Sequence, residues 1–111
     1  MELIRLILLD AEGETEVDLS PYNQEQIYYH KTLLKDAGYV VGTAFSSAGG
    51  GDFAIQRITW KGHEFLDNAR DDKVWKETTK QVGRTIGTVS LDVFSKLLAE
   101  FAFRIASGRF P

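Results

Sequence analysis

Cysteine is absent from the 111-residue sequence, and proline occurs only twice. The lack of cysteine excludes disulfide bonds, thiolate metal sites and a cysteine nucleophile. Few prolines and a hydrophobic content of 43% are typical of a folded chain rather than a disordered one. A chain of this length has room for one domain with its own hydrophobic core. The composition is compatible with the cytoplasm, where we expect the protein to reside.

Long apolar runs are also missing. The most apolar stretch, Leu3–Leu9, contains Arg5 and is too short to span a bilayer. It has neither a basic leader nor a small-residue cleavage site, so we interpret it as part of a core helix and not as a signal peptide. We therefore expect no membrane partner.

Positive charge is scarce in the first two-thirds of the chain. Residues 1–72 carry 6 Lys and Arg against 13 Asp and Glu, a net charge of −7, whereas residues 73–111 carry 7 against 3, a net charge of +4. Proteins that read nucleic acid usually present a basic face, because neutralising phosphates supplies most of their affinity. The acidic first part counts against DNA binding without excluding it.

The chain is organised around a joint at Thr59. A β-type run, Phe53–Ile58, precedes it, and a helical pattern begins at Trp60. Thr59 is placed to cap this helix, because its hydroxyl accepts a hydrogen bond from a free N–H of the first turn. Gly62 lacks a Cβ, so the start of the helix is able to lie close against the strand that feeds it. The pattern predicts the last strand of a hairpin wing turning into a helix.

Cap residues and periodicity predict the other elements. The predicted helices are Glu2–Ala11, Gln24–Ala37 capped by Asn23 and Gln26, a helix from Trp60 that is interrupted near Asp71, and Leu91–Ala106 capped by Ser90. The predicted extended segments are Glu14–Leu19, Tyr39–Phe45 and Phe53–Ile58, with a turn at 46–52 and a break in the helical pattern at 83–88. Together they predict an α+β winged helix-turn-helix-like domain with a β-hairpin wing over residues 1–82, and a C-terminal helical extension over residues 83–111.

The second predicted helix is the one that would enter a major groove. Its inner stripe is predicted to be Ile27, His30, Leu34 and Ala37, and its polar residues are assigned to an outer face. Double-stranded DNA is the partner that this face would contact, together with an arginine on the hairpin. The candidate DNA-contacting residues are Gln24, Tyr28, Lys31, Thr32, Lys35 and Arg57. Two lysines supply little positive charge for contacts with phosphates. An ordinary solvent-exposed face that binds no DNA is therefore an alternative of equal weight.

The last predicted helix has apolar residues at steps of three and four, like the seam of a coiled coil. The seam residues are Leu91, Phe94, Leu98, Phe101 and Ile105. Either this helix is wrapped by its own domain, or a second subunit covers it. We expect a homodimer that uses this helix as its interface.

A catalytic or metal site is not expected. His63 and Asp67 share one helix face, but no third ligand accompanies them, and His30 is the only other histidine. Both histidines are interpreted as structural, His30 through a bond to a backbone carbonyl group. No Ser/His/Asp or Cys/His arrangement with a recognisable local signature is found in the sequence. We therefore expect no catalytic residue, metal ion, cofactor or small-molecule substrate, and no enzyme activity.

Two strings carry a family resemblance. Leu33–Val40 (LLKDAGYV) and Ile58–Asp72 (ITWKGHEFLDNARDD), followed by Trp75, resemble a family of short bacterial and prophage proteins known only as a domain of unknown function. The resemblance covers most of residues 1–80. It implies a fold and no particular activity.

A more distant resemblance is to winged-helix transcription regulators. The pattern from Leu34 to Val40 resembles the end of their recognition helix, and the pattern from Ile58 to Gly62 resembles the end of their wing. This resemblance implies a DNA-binding regulator of transcription. The chain departs from these regulators before Asn23, where it has too few residues for the usual positioning helix. The alternative is therefore a protein–protein interaction module that has lost DNA reading.

Overall fold

The computed structural model describes residues 2–47, 50–85 and 90–108, and these form an α+β chain. The described helices are α1 (Glu2–Glu12), α2 (Gln24–Asp36), α3 (Trp60–Ala69), α4 (Asp72–Thr85) and α5 (Leu91–Ala106). Two antiparallel strands, β1 (Val40–Ser47) and β2 (Gly50–Ile58), form a hairpin between α2 and α3. None of the described helices combines the length and apolarity that crossing a bilayer requires.

The chain divides into two units within α3, Met1–His63 and Glu64–Pro111. Within the second unit, α4 packs against α5. The predicted boundary between residues 82 and 83, with a helical extension over residues 83–111, stays a prediction.

In the first unit, α1 and α2 pack against each other and both contact the hairpin. The buried apolar residues of this unit are Leu3, Ile4, Ile7, Leu8, Leu34, Tyr39, Val40, Phe53 and Ile58. Four of them lie on α1, which confirms the prediction of a core helix at the N-terminus. Gly13 directly follows the end of α1, and its φ of 77° suits a residue without a Cβ.

The caps of α2 confirm the signals in the sequence. Oδ1 of Asn23 accepts a hydrogen bond of 2.8 Å from the N–H of Gln26, and Oε1 of Gln26 accepts one of 3.0 Å from the N–H of Asn23. Gly38 follows the helix with a φ of 82°. Of the two alternatives predicted for Glu14–Leu19, a strand or an extended segment, the strand is not formed, since these residues pair with neither β1 nor β2.

The hairpin pairs from Val40 with Ile58 to Ser47 with Gly50, with one irregularity between Val41 and Gly42. The turn predicted at 46–52 is therefore too long. The backbone groups of Gly50 and Gly51 continue the strand ladder, and only residues 48 and 49 of that segment lie outside the described residues.

The joint at Thr59 has the predicted geometry. Its Oγ1 accepts a hydrogen bond of 3.1 Å from the N–H of Gly62, which caps the first turn of α3. A Cβ at Gly62 would overlap the carbonyl oxygen of Tyr39 and lie 2.6 Å from Cγ2 of Ile58. Glycine at this position therefore permits the close approach between helix and strand.

The second unit is built on an aromatic cluster. The ring centroids of Phe65 and Trp75 are 6.4 Å apart, those of Phe65 and Phe94 are 6.3 Å apart, and those of Trp75 and Phe94 are 5.3 Å apart. The other buried residues of this unit are Leu66, Ala69, Val74, Thr78, Val82, Leu98 and Phe101. Buried Thr78 satisfies its hydroxyl by donating to the carbonyl oxygen of Val74 at 2.8 Å.

The boundaries of α3, α4 and α5 were only partly predictable. The interruption near Asp71 is confirmed, because Oδ1 of Asp71 accepts a hydrogen bond of 2.9 Å from the N–H of Lys73 at the start of α4. The cap of α5 is also confirmed, since Oγ of Ser90 accepts from the N–H of Val93 at 3.2 Å. The predicted break at 83–88 is wrong for its first residues. The helix α4 continues through Gly83 to Thr85, and residues 86–88 lie outside the described ranges.

Candidate interaction surface on α2 and the hairpin

The polar stripe of α2 that the sequence assigned to DNA lies partly against the hairpin. Nζ of Lys31 donates a hydrogen bond of 3.2 Å to the carbonyl oxygen of Phe53 and lies 3.8 Å from Oδ1 of Asp52. Nε2 of Gln24 donates to the carbonyl oxygen of Gly51 at 3.4 Å. Nζ of Lys35 lies 5.9 Å from the ring centroid of Phe53. Three side chains of α2 therefore reach the hairpin, and among them Lys31 is the half-buried one.

Exposure separates the candidate DNA-contacting residues into two groups. The exposed ones are Gln24, Lys35 and Arg57, and the half-buried ones are Tyr28, Lys31 and Thr32. The hydroxyl of Thr32 donates to the carbonyl oxygen of Tyr29 at 2.6 Å, within its own helix. The candidate residues are therefore not uniformly exposed. Contact of any of the six with DNA stays a prediction.

One exposed side of α2 is aromatic, aliphatic and acidic. Tyr29 is 58% exposed and Leu33 is 37% exposed. These two residues are four apart and so lie on the same face of the helix. Glu25, four residues before Tyr29, and Asp36, three residues after Leu33, are also exposed on this side. The helical period places Lys31 and Lys35 on the other side of the helix, which accounts for their contacts with β2.

The distribution of charge agrees with this division of α2 into an exposed side and a hairpin-facing side. Residues 1–63 contain 5 Lys and Arg against 9 Asp and Glu, a net charge of −4. Within this unit, the charge of Lys31 is already offset by Asp52. The surface formed by Glu25, Tyr29, Leu33 and Asp36, which we call the α2 outer face, therefore combines an apolar centre with negative ends.

A pocket of about 310 Å³ opens between α1, α2 and the hairpin. Its apolar lining consists of Ile7, Ala11, Phe45, Phe53, Ala54 and Ile55, and its charged lining consists of Asp10, Lys31 and Asp52. Phe45 is 48% exposed although it is a large aromatic residue. Oδ1 of Asp52 is held in place by a hydrogen bond of 2.7 Å from the N–H of Phe53. The pocket therefore has aromatic walls and an excess of one negative charge.

The two histidines differ in environment. Nδ1 of His30 lies 2.8 Å from the carbonyl oxygen of Gln26, which confirms the predicted backbone partner, although His30 is half-buried and not part of the core. His63 is exposed. Within the described part of the chain, no group of three or more Asp, Glu or His side chains is placed to hold a metal ion.

The predicted seam of α5 is mostly covered within the chain. Phe94, Leu98 and Phe101 are buried, whereas Leu91 and Ile105 are half-buried. The first of the two alternatives, a helix wrapped by its own domain, therefore holds for the centre of the seam. A second subunit would reach only the two end residues of this set directly, and the homodimer stays a prediction.

Sequence reasoning missed three exposed aromatic and aliphatic side chains. Tyr29 and Leu33 form the centre of the α2 outer face, and Trp60, the first residue of α3, is 80% exposed. A helical wheel of α2 centred on buried Leu34 would have found the first two. Nothing in the sequence pattern distinguishes an exposed tryptophan at a helix start from a buried one.

The helices and hairpin define a small α+β domain with an acidic and apolar α2 surface. A family model described as "Hypothetical protein (DUF2513)" matches residues 1–88 of this chain. An uncharacterized protein of Haemophilus influenzae is 34% identical over 113 residues, which cover 96% of this chain and 92% of the relative. No solved structure matches with statistical significance. The chain belongs to the DUF2513 family, a domain family of unknown function, as the resemblance to an uncharacterised family led us to expect.

Proposed function

We propose that this protein is a winged-helix-like protein-interaction module that docks a basic partner on the α2 outer face. The observation that carries the proposal is the orientation of α2. Lys31 is half-buried and donates to the hairpin, whereas Tyr29 and Leu33 are exposed to solvent. The helix therefore presents an apolar centre to solvent where a DNA-reading helix needs polar and basic side chains.

A surface that binds DNA needs cations that face the phosphates. Each phosphate that a protein neutralises requires a cation at the surface, and such contacts supply most of the affinity. The exposed side of α2 carries Glu25 and Asp36 and would repel the backbone of DNA. The segment between α1 and α2 contains no helix, so the positioning helix of a typical winged-helix regulator is missing as well.

The same surface suits a protein partner. An exposed tyrosine buries a large area on binding at a low cost in side-chain entropy, and aromatic residues are enriched where binding energy concentrates. Leu33 extends the apolar centre, and the flanking carboxylates would steer a partner of positive charge. A partner that presents an apolar residue between Lys or Arg residues fits both features.

A selection from a random 12-residue peptide library tests this function on the full chain. We expect enrichment of peptides that combine apolar residues with Lys or Arg. We also expect that the double variant Tyr29→Ala, Leu33→Ala binds them at least tenfold more weakly. Phe103→Ala is the matched control, because Phe103 is an aromatic residue with 64% exposure on α5. Enrichment of acidic peptides, no enrichment, or equal binding by the double variant would reject the proposal.

The second candidate is a DNA-binding regulator of transcription, of bacterial or prophage type. It is supported by the exposure of Lys35 and Arg57 and by the succession of α2, hairpin and α3. A random-sequence 30-base-pair duplex, titrated at low salt and followed by fluorescence anisotropy, separates the two candidates. An interaction module should give no saturable signal. Binding that weakens steeply with salt and disappears in Lys31→Glu, Lys35→Glu would favour the regulator and overturn the interaction module.

A further inference from the structure

We propose that the pocket between α1, α2 and the hairpin receives the side chain of an arginine from the basic partner. The inference rests on the proposed function and adds a specific anchor on the hairpin-facing side of α2, opposite to the α2 outer face.

Charge selects a cation. Asp10, Asp52 and Lys31 are the ionisable residues of the lining, so the pocket carries one excess negative charge. Lys31 donates to the carbonyl oxygen of Phe53, and its charge is offset by Asp52 at 3.8 Å, so the lining offers no uncompensated positive charge to an anionic ligand. A phosphate or carboxylate would also meet two carboxylates. An incoming cation meets the exposed carboxylate of Asp10 first.

The apolar lining selects a cation on an aliphatic stem. Arginine buries its methylene groups against apolar surface while its guanidinium group stays at a polar edge. Phe45 lines this pocket and is 48% exposed, and a planar guanidinium group stacks on an aromatic ring better than a point-like ammonium group does. These features favour arginine over lysine.

The size of the pocket points to a single side chain. Sites for small organic ligands have volumes of about 300–1,000 Å³, and this pocket, at about 310 Å³, lies at the lower end of that range. One long side chain fits such a volume better than a complete cofactor does. The pocket therefore complements one residue of a larger partner.

The probe is the tripeptide acetyl-Gly-Arg-Gly-amide, titrated into the full chain and followed by two-dimensional ¹⁵N NMR. We expect saturable shifts at the amides of Lys31, Phe53, Ala54 and Ile55. The same peptide with citrulline, which is neutral and nearly isosteric, should bind at least tenfold more weakly, and the lysine peptide should bind with intermediate affinity. Equal binding of the citrulline peptide, or the absence of saturable shifts at the pocket, would overturn the proposal.

Two variants locate the binding site. Asp10→Asn and Phe45→Ala should each weaken binding of the arginine peptide at least threefold, while their spectra show whether the fold is retained. Asp36→Asn is the control, because it removes an exposed carboxylate of α2 that does not line the pocket. Unchanged affinity in both Asp10→Asn and Phe45→Ala, or an equal loss in Asp36→Asn, would reject the pocket as the site.

The outcomes separate this inference from the proposed function. The tripeptide is too short to cover the α2 outer face. The library selection tests binding through Tyr29 and Leu33 rather than through the pocket. Tripeptide binding without library enrichment would reject the docking function and leave the pocket supported. Library enrichment without tripeptide binding would reject the pocket alone.

Discussion

The hydroxyl of Thr59 donates a hydrogen bond of 2.6 Å to the carbonyl oxygen of Gly38, 21 residues earlier in the chain. Two further bonds accompany it, from the N–H of Thr59 to the carbonyl oxygen of Tyr39 at 3.0 Å and from Nζ of Lys61 to that of Ala37 at 3.0 Å. The start of α3 therefore satisfies carbonyl groups just beyond the end of α2. Such groups have no partner within a helix, so this arrangement stabilises both helix ends together.

Replacing Thr59 tests this joint. Thr59→Ala removes the cap of α3 and the bond to Gly38, and we expect a loss in the free energy of unfolding of about 1–3 kcal/mol. Thr59→Ser keeps the hydroxyl and should lose much less. Urea denaturation measures both. If alanine and serine give the same stability, the hydroxyl does not hold the joint.

Gly62→Ala should destabilise the chain by about 3 kcal/mol, because the new Cβ meets backbone that is unable to move aside. The matched control is Gly83→Ala in α4. A Cβ there has no neighbour within 4 Å, and alanine should stabilise the helix by about 0.5–1 kcal/mol. The midpoints of thermal and urea unfolding should fall for Gly62→Ala and rise for Gly83→Ala. A neutral Gly62→Ala would contradict the close packing at the joint.

The ion pair between Lys31 and Asp52 should be measurable but weak. The two side chains are 20% and 36% exposed and their charged atoms are 3.8 Å apart. A double-mutant cycle with Lys31→Met and Asp52→Asn should give a coupling of about 0.5–1 kcal/mol, which falls when salt is raised. A coupling of zero at low salt would mean that Lys31 is not held by Asp52 in solution.

The two faces of α5 should respond differently to truncation. Phe94 is 1% exposed and Phe103 is 64% exposed. Phe94→Ala should cost about 3–5 kcal/mol of stability because it leaves a cavity, whereas Phe103→Ala should be close to neutral for a monomer. Light scattering adds the test of the predicted homodimer. A dimer that dissociates in Phe103→Ala would place the interface on the exposed side of α5 and not on the predicted seam.

Asp18 provides a test of local structure by pH. Hydrogen bonds from the side chain of Ser20, and then from its backbone N–H, hold the pKa of Asp18 below its ordinary value. Because the folded-state pKa is lowered, the stability that this carboxylate contributes is present above the ordinary pKa and is lost as the pH falls through the lowered one. An NMR titration should show Ser20→Ala raising the pKa of Asp18. An unchanged pKa would exclude the hydroxyl as the cause.

Local signals in the sequence were reliable because they depend on neighbouring residues. Asn23, Thr59 and Ser90 cap their helices as predicted, and Gly62 permits the approach to Ile58. Each of these features follows from a side chain and the backbone a few residues away, or from one missing Cβ. The hairpin followed from β-branched and aromatic runs on both sides of a glycine-rich turn.

The candidate surface was less predictable because it depends on which side of α2 the hairpin covers. Lys31 is polar and was assigned to an outer face, yet its long stem allows its ammonium group to reach the carbonyl oxygen of Phe53. Leu33 is apolar, yet it is 37% exposed and lies on the α2 outer face. Composition does not reveal which polar side chains become half-buried and which apolar ones stay exposed, because tertiary packing decides both.

The pairing of α4 with α5 has a consequence for shortened versions of this protein. Residues 1–88 contain the whole segment that matches the family, but they omit α5 and with it Phe94, whose ring packs on Trp75. A fragment that stops there would present an uncovered tryptophan and the apolar side of α4 to water, and we expect it to aggregate on expression. The match to the family model ends before the last helix that the second hydrophobic core requires.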